Sequence, residues 1–320
     1  MNILITGSDG FIGNNLVGKL KSSENTVIGF GRGTKLMKMP NQPDKFVKGS
    51  ILDYNLLREV IADEQIDEIY HLAAKAIVRT CANDPYSAFN VNVMGTANLL
   101  EAVRVSGPTV KSVTISTSDK AFGHSPPPYT ETTPLNPKYT YETSKACQQI
   151  LAQSYFFNQN VPTKIVACSN LYGPGDPNMT RIIPNTITRL AKGKPALLNE
   201  GVADFVREFV YVDDATDAFV TVSRKGSPGE VYCCGGTEHL KMGSLIEKIC
   251  NMMGKNPKEN IQIFKTPPQF KEIETQWIDS TKLRSLGWEP KYSLDKGLAK
   301  TIEWYKDLCK NEEKNCFTTA

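Results

Sequence analysis

The amino-acid sequence predicts an α/β protein, with a doubly wound parallel sheet and a smaller C-terminal α/β lobe. In the first half of the chain, short β-branched apolar runs alternate with amphipathic stretches. The runs are apolar almost throughout, which is typical of parallel strands covered by helices on both faces. Alternating strands and helices imply right-handed crossovers within one sheet. After Ser169 turn-forming and mixed segments replace this alternation, and 320 residues are enough for a second lobe.

The individual elements follow from the apolar pattern. The predicted strands of the sheet are residues 2–6, 26–30, 68–72, 110–116 and 164–168. Apolar residues at helical spacing predict helices at 11–20, 54–63, 85–105, 139–157, 181–190, 214–222, 242–253 and 294–308. A short apolar run at 209–212 is predicted as a strand that returns to the sheet.

Charge and composition exclude several classes of protein. The chain carries 37 Lys and Arg against 34 Asp and Glu, a net charge of +3, which is not that of a nucleic-acid-binding or membrane-surface protein. No apolar run approaches the ~18 residues of a membrane span, and the first residues lack the basic segment of a signal peptide. The eight cysteines form no CxxC pair and the three histidines are scattered, so we expect no metal site. Cysteines among apolar residues indicate reduced thiols in a cytoplasmic protein.

The first predicted strand runs into a glycine-rich turn that opens the first helix, T-G-S-D-G-F-I-G at residues 6–13. Glycines at this spacing allow a tight turn, close approach of a pyrophosphate and close packing of helix on strand. The helix N terminus adds backbone N–H donors and a favourable dipole for the anion. A purely structural turn is the alternative, but the strand–helix context favours a dinucleotide site. Its candidate contacts are Gly7, Asp9, Gly10, Phe11, Ile12 and Gly13.

The end of the second strand bears on which dinucleotide binds. An acidic residue there accepts hydrogen bonds from the adenosine ribose of NAD, whereas an arginine suits the 2′-phosphate of NADP. Here the strand ends in Gly31-Arg32-Gly33, with no carboxylate at its tip. We therefore predict NADP, contacted by Arg32, with NAD as the alternative; Arg32 as a solvated loop cation is the other interpretation. Asp53 either caps the next helix or hydrogen-bonds the adenine amine.

These features divide the chain into two lobes and a tail. Residues 1–168 are assigned to a dinucleotide-binding domain, to which residues 208–235 return. Residues 169–207 and 236–310 are assigned to a substrate-binding lobe. The polar residues 311–320 are expected to form a frayed tail.

Tyr141 and Lys145 lie four residues apart in a predicted helix, and therefore on one face of it. An ammonium beside a phenol favours the phenolate and so lowers the pKa of the tyrosine. Tyr141 is then a plausible base towards a hydroxyl whose carbon loses a hydride. A YxxxK match alone is common, but downstream of a dinucleotide turn it predicts a redox site.

The chain resembles the extended short-chain dehydrogenases/reductases that act on nucleotide sugars, which are built on a Rossmann sheet. The likeness covers roughly residues 1–308. The motifs that carry it are TGSDGFIG at 6–13, HLAA at 71–74, NVMGT at 92–96, YETSK at 141–145, SNLYGPG at 169–175, REFVYVDD at 207–214 and LGW at 286–288.

The resemblance implies further site residues and partners. In addition to the residues of the glycine-rich turn, the resemblance implies cofactor contacts at Ile51, Leu72, Ala73, Ala74, Lys75, Tyr141 and Lys145. Residues implied at the substrate, a nucleotide-diphosphate hexose, are Lys75, Ser118, Asn170, Arg181 and Arg207. The resemblance also implies a homodimer paired through the helices at 85–105 and 139–157.

Ser118-Asp119-Lys120, after the fifth strand, bears on the reaction. It is similar to the Asp-Lys variants of CDP-glucose 4,6-dehydratases, whereas epimerases of the family generally lack an acid/base pair there. A 4,6-dehydratase oxidises the sugar at C4, which makes the C5 proton acidic. A base then removes that proton, an acid protonates the departing C6 hydroxyl, and the hydride returns to C6. We assign Lys120 as the base and Asp119 as the acid.

Two other functions are consistent with the same sequence. If the tripeptide is only a polar turn, the protein is a nucleotide-sugar 4-epimerase similar to UDP-glucose 4-epimerase, in which Tyr141 and rotation of the ketone suffice. A catalytically silent NADP-binding sensor with this fold is the third possibility. The presence of Tyr141, Lys145, Asp119 and Lys120 argues against the sensor, which has no need of them.

Overall fold

The computed structural model describes residues 1–33, 40–265 and 273–317, with side chains up to residue 310. Its strands are β1 (Asn2–Thr6), β2 (Thr26–Gly31), β3 (Lys45–Lys48), β4 (Glu68–His71), β5 (Ser112–Ser118), β6 (Thr163–Cys168), β7 (Asn170–Tyr172), β8 (Ala196–Asn199), β9 (Val206–Tyr211), β10 (Val231–Cys234), β11 (His239–Lys241) and β12 (Ile261–Phe264). Its α-helices are α1 (Phe11–Leu20), α2 (Tyr54–Asp63), α3 (Val78–Asn83), α4 (Pro85–Phe89), α5 (Gly95–Ser106), α6 (Thr140–Gln159), α7 (Ile182–Ala191), α8 (Val212–Lys225), α9 (Met242–Met252), α10 (Pro257–Asn260), α11 (Thr281–Ser285) and α12 (Leu294–Phe317).

Seven strands form a central parallel sheet in the order β10-β6-β5-β4-β1-β2-β3. Successive residues of β1 alternate between its faces: Leu4 packs with residues of α2, α5 and α6, whereas Ile3 and Ile5 pack with residues of α1 and α8. Helices therefore cover both faces, and the predicted doubly wound fold is confirmed. The strand order reverses between β1 and β4, where α/β proteins of this type bind ligands beyond the carboxyl ends of the strands.

The C-terminal lobe has its own small sheets and its own core. Strands β11, β9 and β7 form one sheet, and β12 pairs with β8 in another. Residues of α7, α9 and α12 pack together against them, with Tyr172, Leu298 and Tyr305 buried among them. The strand predicted at 209–212 is therefore placed wrongly, because β9 pairs with β7 and β11. The strand that returns to the central sheet is β10, whose apolar run is only four residues long.

Two helical predictions differ in detail from the structure. The helix predicted at 85–105 is α4 and α5 joined by a π-helical turn at Asn90–Met94. The expected tail at 311–320 instead continues α12 as far as Phe317, and residues 318–320 lie outside the described residues. None of the helices in the described ranges is long and apolar enough to cross a membrane.

Helix α6, which carries Tyr141 and Lys145, begins at a defined point. The Glu142 carboxylate accepts hydrogen bonds from the backbone N–H groups of Lys138 and Tyr139, at 2.9 and 3.3 Å. These contacts satisfy donors that precede the first turn, as in a capping box. The helix ends before Asn160, which adopts the left-handed conformation with φ 56°.

Candidate active site

The turn between β1 and α1 requires its glycines. Gly7 has φ 72°, and a side chain there would approach the backbone nitrogen of Ala73 to 2.9 Å. A side chain at Gly13 would overlap the carbonyl of Gly7, so α1 can lie against the turn only because residue 13 is glycine. The turn is closed by hydrogen bonds from the Gly7 N–H to the carbonyl of Phe30 and from the Gly10 N–H to the carbonyl of Gly7.

The N terminus of α1 fits the pyrophosphate of a dinucleotide. Gly10 occupies the cap position, and no described side chain caps the helix. The first-turn N–H groups therefore have no side-chain acceptor among the described residues, as at known phosphate-binding turns. The hydroxyl of Ser8 is buried against Gly29 of β2 and has no hydrogen-bond partner among the described residues. Phe11 and Ile12 occupy the first two positions of α1, where we expected cofactor contacts.

Three charged residues, Asp9, Arg32 and Asp53, lie near the ends of β2 and β3. Arg32 is exposed in the loop after β2. Asp9, from the glycine-rich turn, reaches the tip of β2, where its Oδ2 accepts a hydrogen bond from the Gly33 N–H at 3.0 Å. The prediction of a tip without a carboxylate is therefore wrong, because the acid comes from the glycine-rich turn and not from the residues that follow β2 in sequence. Asp53 caps α2 by accepting from the Leu56 N–H at 3.1 Å, and Ile51 is buried.

A chain of buried hydrogen bonds joins the end of β1 to Lys145. Thr6 Oγ1 lies 2.8 Å from His71 Nδ1, and His71 Nε2 lies 2.9 Å from Thr96 Oγ1. Gln148 donates to the same Thr96 oxygen at 2.8 Å and accepts from Lys145 Nζ at 2.9 Å. Burial, with the charge of Lys145, lowers the pKa of His71 to about 3, so this imidazole is neutral.

Lys145 is held at the base of the predicted redox site. Its Nζ also donates to the carbonyl of Ser116 on β5, at 2.9 Å. Burial lowers the pKa of Lys145 to about 8. A neutral form of this amine is therefore accessible under mildly alkaline conditions.

Tyr141 is buried beside Ser118 and Asp119. Burial raises the pKa of Tyr141 to about 12, while hydrogen bonding by the Ser118 hydroxyl and the charge of Arg181 lower it and the charge of Asp119 raises it. The expected lowering by Lys145 is wrong for this structure. Burial dominates, and the cation that acts on the phenol is Arg181.

Asp119 is buried between the redox pair and the C-terminal lobe. The Ser118 hydroxyl donates to Asp119 Oδ1 at 2.9 Å, and Asp119 Oδ2 has no hydrogen-bond partner among the described residues. Ser118 also caps the short 3₁₀ turn Asp119–Phe122 by accepting from the Lys120 N–H at 3.3 Å. The tripeptide is thus a capped turn that also carries a buried carboxylate, of which one oxygen has no hydrogen-bond partner among the described residues.

Lys120 reaches across to the C-terminal lobe. Its Nζ donates to Gln276 Oε1 at 2.9 Å, and Gln276 is 1% exposed. Gln276 belongs to the segment 273–280, which we call the strap. The strap bridges to β9 at Val206 and to the loop before α6 at Tyr129.

Four of the predicted substrate residues make contacts within the protein. Asn170 donates to the carbonyl of Glu208, and the Arg181 guanidinium pairs with the buried Asp176 at 3.1 Å. Arg207 donates to backbone carbonyls of the strap, and Lys75 pairs with Asp84 at 2.9 Å. Leu72, Ala73 and Ala74 follow β4 directly, with the Leu72 and Ala73 N–H groups on the Thr6 hydroxyl.

Three contributors were missed in the sequence. Gln148 lies three residues after Lys145, so helical spacing was a signal for it. Gln276 stands 156 positions from Lys120, and no local pattern joins them. Glu208 lies in the REFVYVDD motif, but no role was predicted for it. It is a buried acid: burial raises its pKa to about 7, although the hydrogen bond from the Ile278 N–H lowers it.

The family follows from comparison with known proteins. A family model described as GDP-mannose 4,6 dehydratase matches residues 4–301. The chain belongs to this family. The prediction of an extended short-chain dehydrogenase/reductase of the nucleotide-sugar epimerase/dehydratase type is thereby confirmed. This family member is an enzyme of an NAD-dependent group whose named relatives include both dehydratases and epimerases.

Three relatives illustrate that range. The dTDP-glucose 4,6-dehydratase of Bacillus anthracis, solved with NAD, is 32% identical, with TM-score 0.83 over 98% of each chain. The UDP-glucose 4-epimerase of Thermotoga maritima, solved with UDP-glucose, is 27% identical, with TM-score 0.89 over 96% of this chain and 99% of that one. A trifunctional UDP-glucose 4,6-dehydratase/3,5-epimerase/reductase of Arabidopsis thaliana is 30% identical over 317 residues, and the chain spans only 47% of its length.

Proposed function

We propose that this family member is a nucleotide-sugar 4,6-dehydratase, which converts a nucleotide-diphosphate hexose to the 4-keto-6-deoxy sugar. The observation that carries the proposal is the pair Asp119 and Lys120, which directly follows Ser118 at the end of β5. Asp119 is buried, its Oδ2 has no hydrogen-bond partner among the described residues, and Lys120 is held by Gln276 from the other lobe. A 4-epimerase has no step that requires these two groups.

The site fits a nicotinamide dinucleotide. The glycine turn and the uncapped N terminus of α1 would hold its pyrophosphate, and Ala73 and Ala74 would line its path. When bound, this group accepts a hydride from sugar C4 and later returns it to C6. The two forms of the cofactor are NAD and NADP, and NADP is the form predicted from Arg32.

Tyr141 and Ser118 are assigned to the sugar C4 hydroxyl. Tyr141 accepts the proton of that hydroxyl as C4 is oxidised, and Ser118 holds the oxygen by a hydrogen bond. Because burial raises the pKa of the phenol, its ionised form depends on nearby cations. Arg181 supplies this charge. Lys145, whose Nζ donates to Ser116 and Gln148, is assigned to the cofactor.

Asp119 and Lys120 are assigned to the elimination of water. The neutral amine of Lys120 takes the C5 proton, and the electrons of the C5–H bond form the C5–C6 double bond. Asp119 gives a proton to the C6 oxygen, which leaves as water. Lys120 returns its proton to C5 when C6 is reduced and is thereby reset, whereas Asp119 must regain a proton and Tyr141 must release the one that it took from the C4 hydroxyl.

Substrate and assembly are part of the same proposal. Asn170, Arg181, Arg207 and Lys75 would contact the sugar and diphosphate, since guanidinium and ammonium groups suit phosphate oxygens. A homodimer would pair through α4–α5 and α6, which expose apolar side chains. These are Tyr86, Met94, Val105, Ile150 and Phe157. Seven described cysteines are free thiols, which suits the reducing cytoplasm.

A 4-epimerase is the second candidate. Two observations favour it: the Thermotoga epimerase aligns with the higher TM-score, and Ser118 caps the Asp-Lys turn as a purely structural turn would be capped. In that case Tyr141 would act alone on C4, and the 4-keto sugar would rotate within the site so that the hydride returned to its opposite face.

Loss of Lys120 separates the candidates. We expect Lys120→Ala to stop water loss on a panel of UDP-, dTDP-, CDP- and GDP-hexoses, while reduction of the bound dinucleotide, followed by its absorbance, persists. Lys111→Ala removes a lysine that is 76% exposed at the other end of β5 and serves as the matched control. Unchanged water loss in Lys120→Ala would remove this residue from the mechanism, and C4 inversion by the wild type would establish the epimerase.

A further inference from the structure

The tip of β2 is built from two segments of the chain. Strand β2 ends at Gly31, and the Asp9 carboxylate from the glycine turn lies against it. A side chain at residue 31 would overlap Asp9 Oδ1, so Gly31 leaves the space that Asp9 fills. The Gly33 N–H holds the other oxygen at 3.0 Å.

The position of this carboxylate matters for adenosine recognition. In dinucleotide-binding sheets, an acid at the end of the second strand accepts hydrogen bonds from the ribose hydroxyls of NAD. Gly31 and Gly33 cannot supply that acid, but Asp9 places a carboxylate at the same tip. A carboxylate there also repels the 2′-phosphate of NADP, which carries a charge of the same sign.

We propose that Asp9 is the residue that recognises the adenosine ribose and selects NAD over NADP. Asp9 thus takes the role of the missing acid at the strand tip, and a side chain at residue 31 would displace it. The inference rests on the proposed dinucleotide site and reverses the preference predicted from Arg32. Arg32 is exposed beside the tip, where a guanidinium is well solvated.

Binding of the two dinucleotides tests the inference without any sugar. Calorimetry on the full chain, stripped of bound dinucleotide, should give at least about tenfold tighter binding of NAD than of NADP, the size expected for charge-assisted hydrogen bonds. Asp9→Asn should reduce that ratio at least about tenfold, by weakening NAD and strengthening NADP. Asp63→Asn, an exposed acid at the end of α2, has the same charge change and should leave the ratio unchanged.

A transfer of the carboxylate makes the test specific to its position. The double variant Asp9→Gly with Gly31→Asp places the acid on the strand tip itself and should restore the preference for NAD. Gly31→Ala alone should weaken NAD, because it displaces Asp9. Circular dichroism checks that each variant is folded.

The outcomes separate this inference from the proposed function. Tighter binding of NADP by the wild type, or equal ratios in wild type and Asp9→Asn, would overturn the role of Asp9 while leaving a dinucleotide enzyme. Failure of the wild type to bind either dinucleotide would overturn both. Loss of NADP binding in Arg32→Ala with no change in Asp9→Asn would return the specificity to Arg32.

Discussion

Lys120 Nζ donates a hydrogen bond to Gln276 Oε1 at 2.9 Å, although the two residues stand 156 positions apart. The contact joins the turn after β5 to the strap of the other lobe. Gln276 is buried, and its Nε2 has no partner among the described residues. The lobe that we propose to bind the sugar therefore also sets the position of the proposed base.

Replacing Gln276 tests this positioning role. Gln276→Leu removes the acceptor, and we expect kcat for water loss to fall by about 10- to 100-fold, since a misplaced base costs that much. Gln276→Glu adds a carboxylate that stabilises the ammonium, so the rise of kcat with pH should move to higher pH. Wild-type kcat and pH profile in both variants would show that the contact is structural only.

Tyr141→Phe should remove the first step of either candidate reaction. We expect turnover to fall by about 10²- to 10⁴-fold, the range for loss of a general base. Binding of the nucleotide sugar, measured by calorimetry, should persist. Tyr86→Phe is the matched control because Tyr86 is 78% exposed. Turnover of Tyr141→Phe close to that of the wild type would show that another residue is the base.

Burial of Lys145 should be visible in the pH dependence of stability. Its pKa is lowered from 10.5 to about 8, so between these values the unfolded chain binds the proton that the native protein has released. The contribution of Lys145 to the free energy of unfolding therefore rises with pH. Relative to that of Lys145→Met, the free energy of unfolding of the wild type should rise by about 2 kcal/mol between pH 7 and pH 9.5, measured by urea unfolding. A difference that does not change with pH would contradict the lowered pKa.

Glu208 should show the opposite trend. Burial raises its pKa from 4.5 to about 7, so the native protein keeps a proton that the unfolded chain has lost. The contribution of Glu208 is therefore lost as pH rises through this interval. Relative to that of Glu208→Gln, the free energy of unfolding of the wild type should fall by about 2 to 3 kcal/mol between pH 5 and pH 8, measured by urea unfolding. Glu24→Gln, an exposed control, should track the wild type.

The local parts of this molecule were predictable from the sequence. The β1–α1 turn was found because strand, glycines and helix follow one another within 20 residues, and their geometry depends only on that order. The pairing of Tyr141 with Lys145 followed from helical spacing. The central sheet followed from the apolar runs that form it.

Relationships between distant segments were not predictable in this way. The strand at 209–212 has the composition of a buried strand, and nothing in its residues specifies whether it joins the central sheet or the smaller one. The contacts of Asp9 with the tip of β2 and of Lys120 with Gln276 depend on folding of the whole chain. The high pKa of Tyr141 depends on burial, which the YxxxK pattern does not encode.

Product analysis in deuterated water tests the proposed dehydration most directly. The wild type is incubated with the panel of nucleotide hexoses, and the products are examined by mass spectrometry and NMR. A 4-keto-6-deoxy sugar with deuterium at C5 is the predicted result, because the C5 proton passes to a base that exchanges with solvent. A C4 epimer that has kept all its oxygen atoms and its C5 hydrogen would contradict the account.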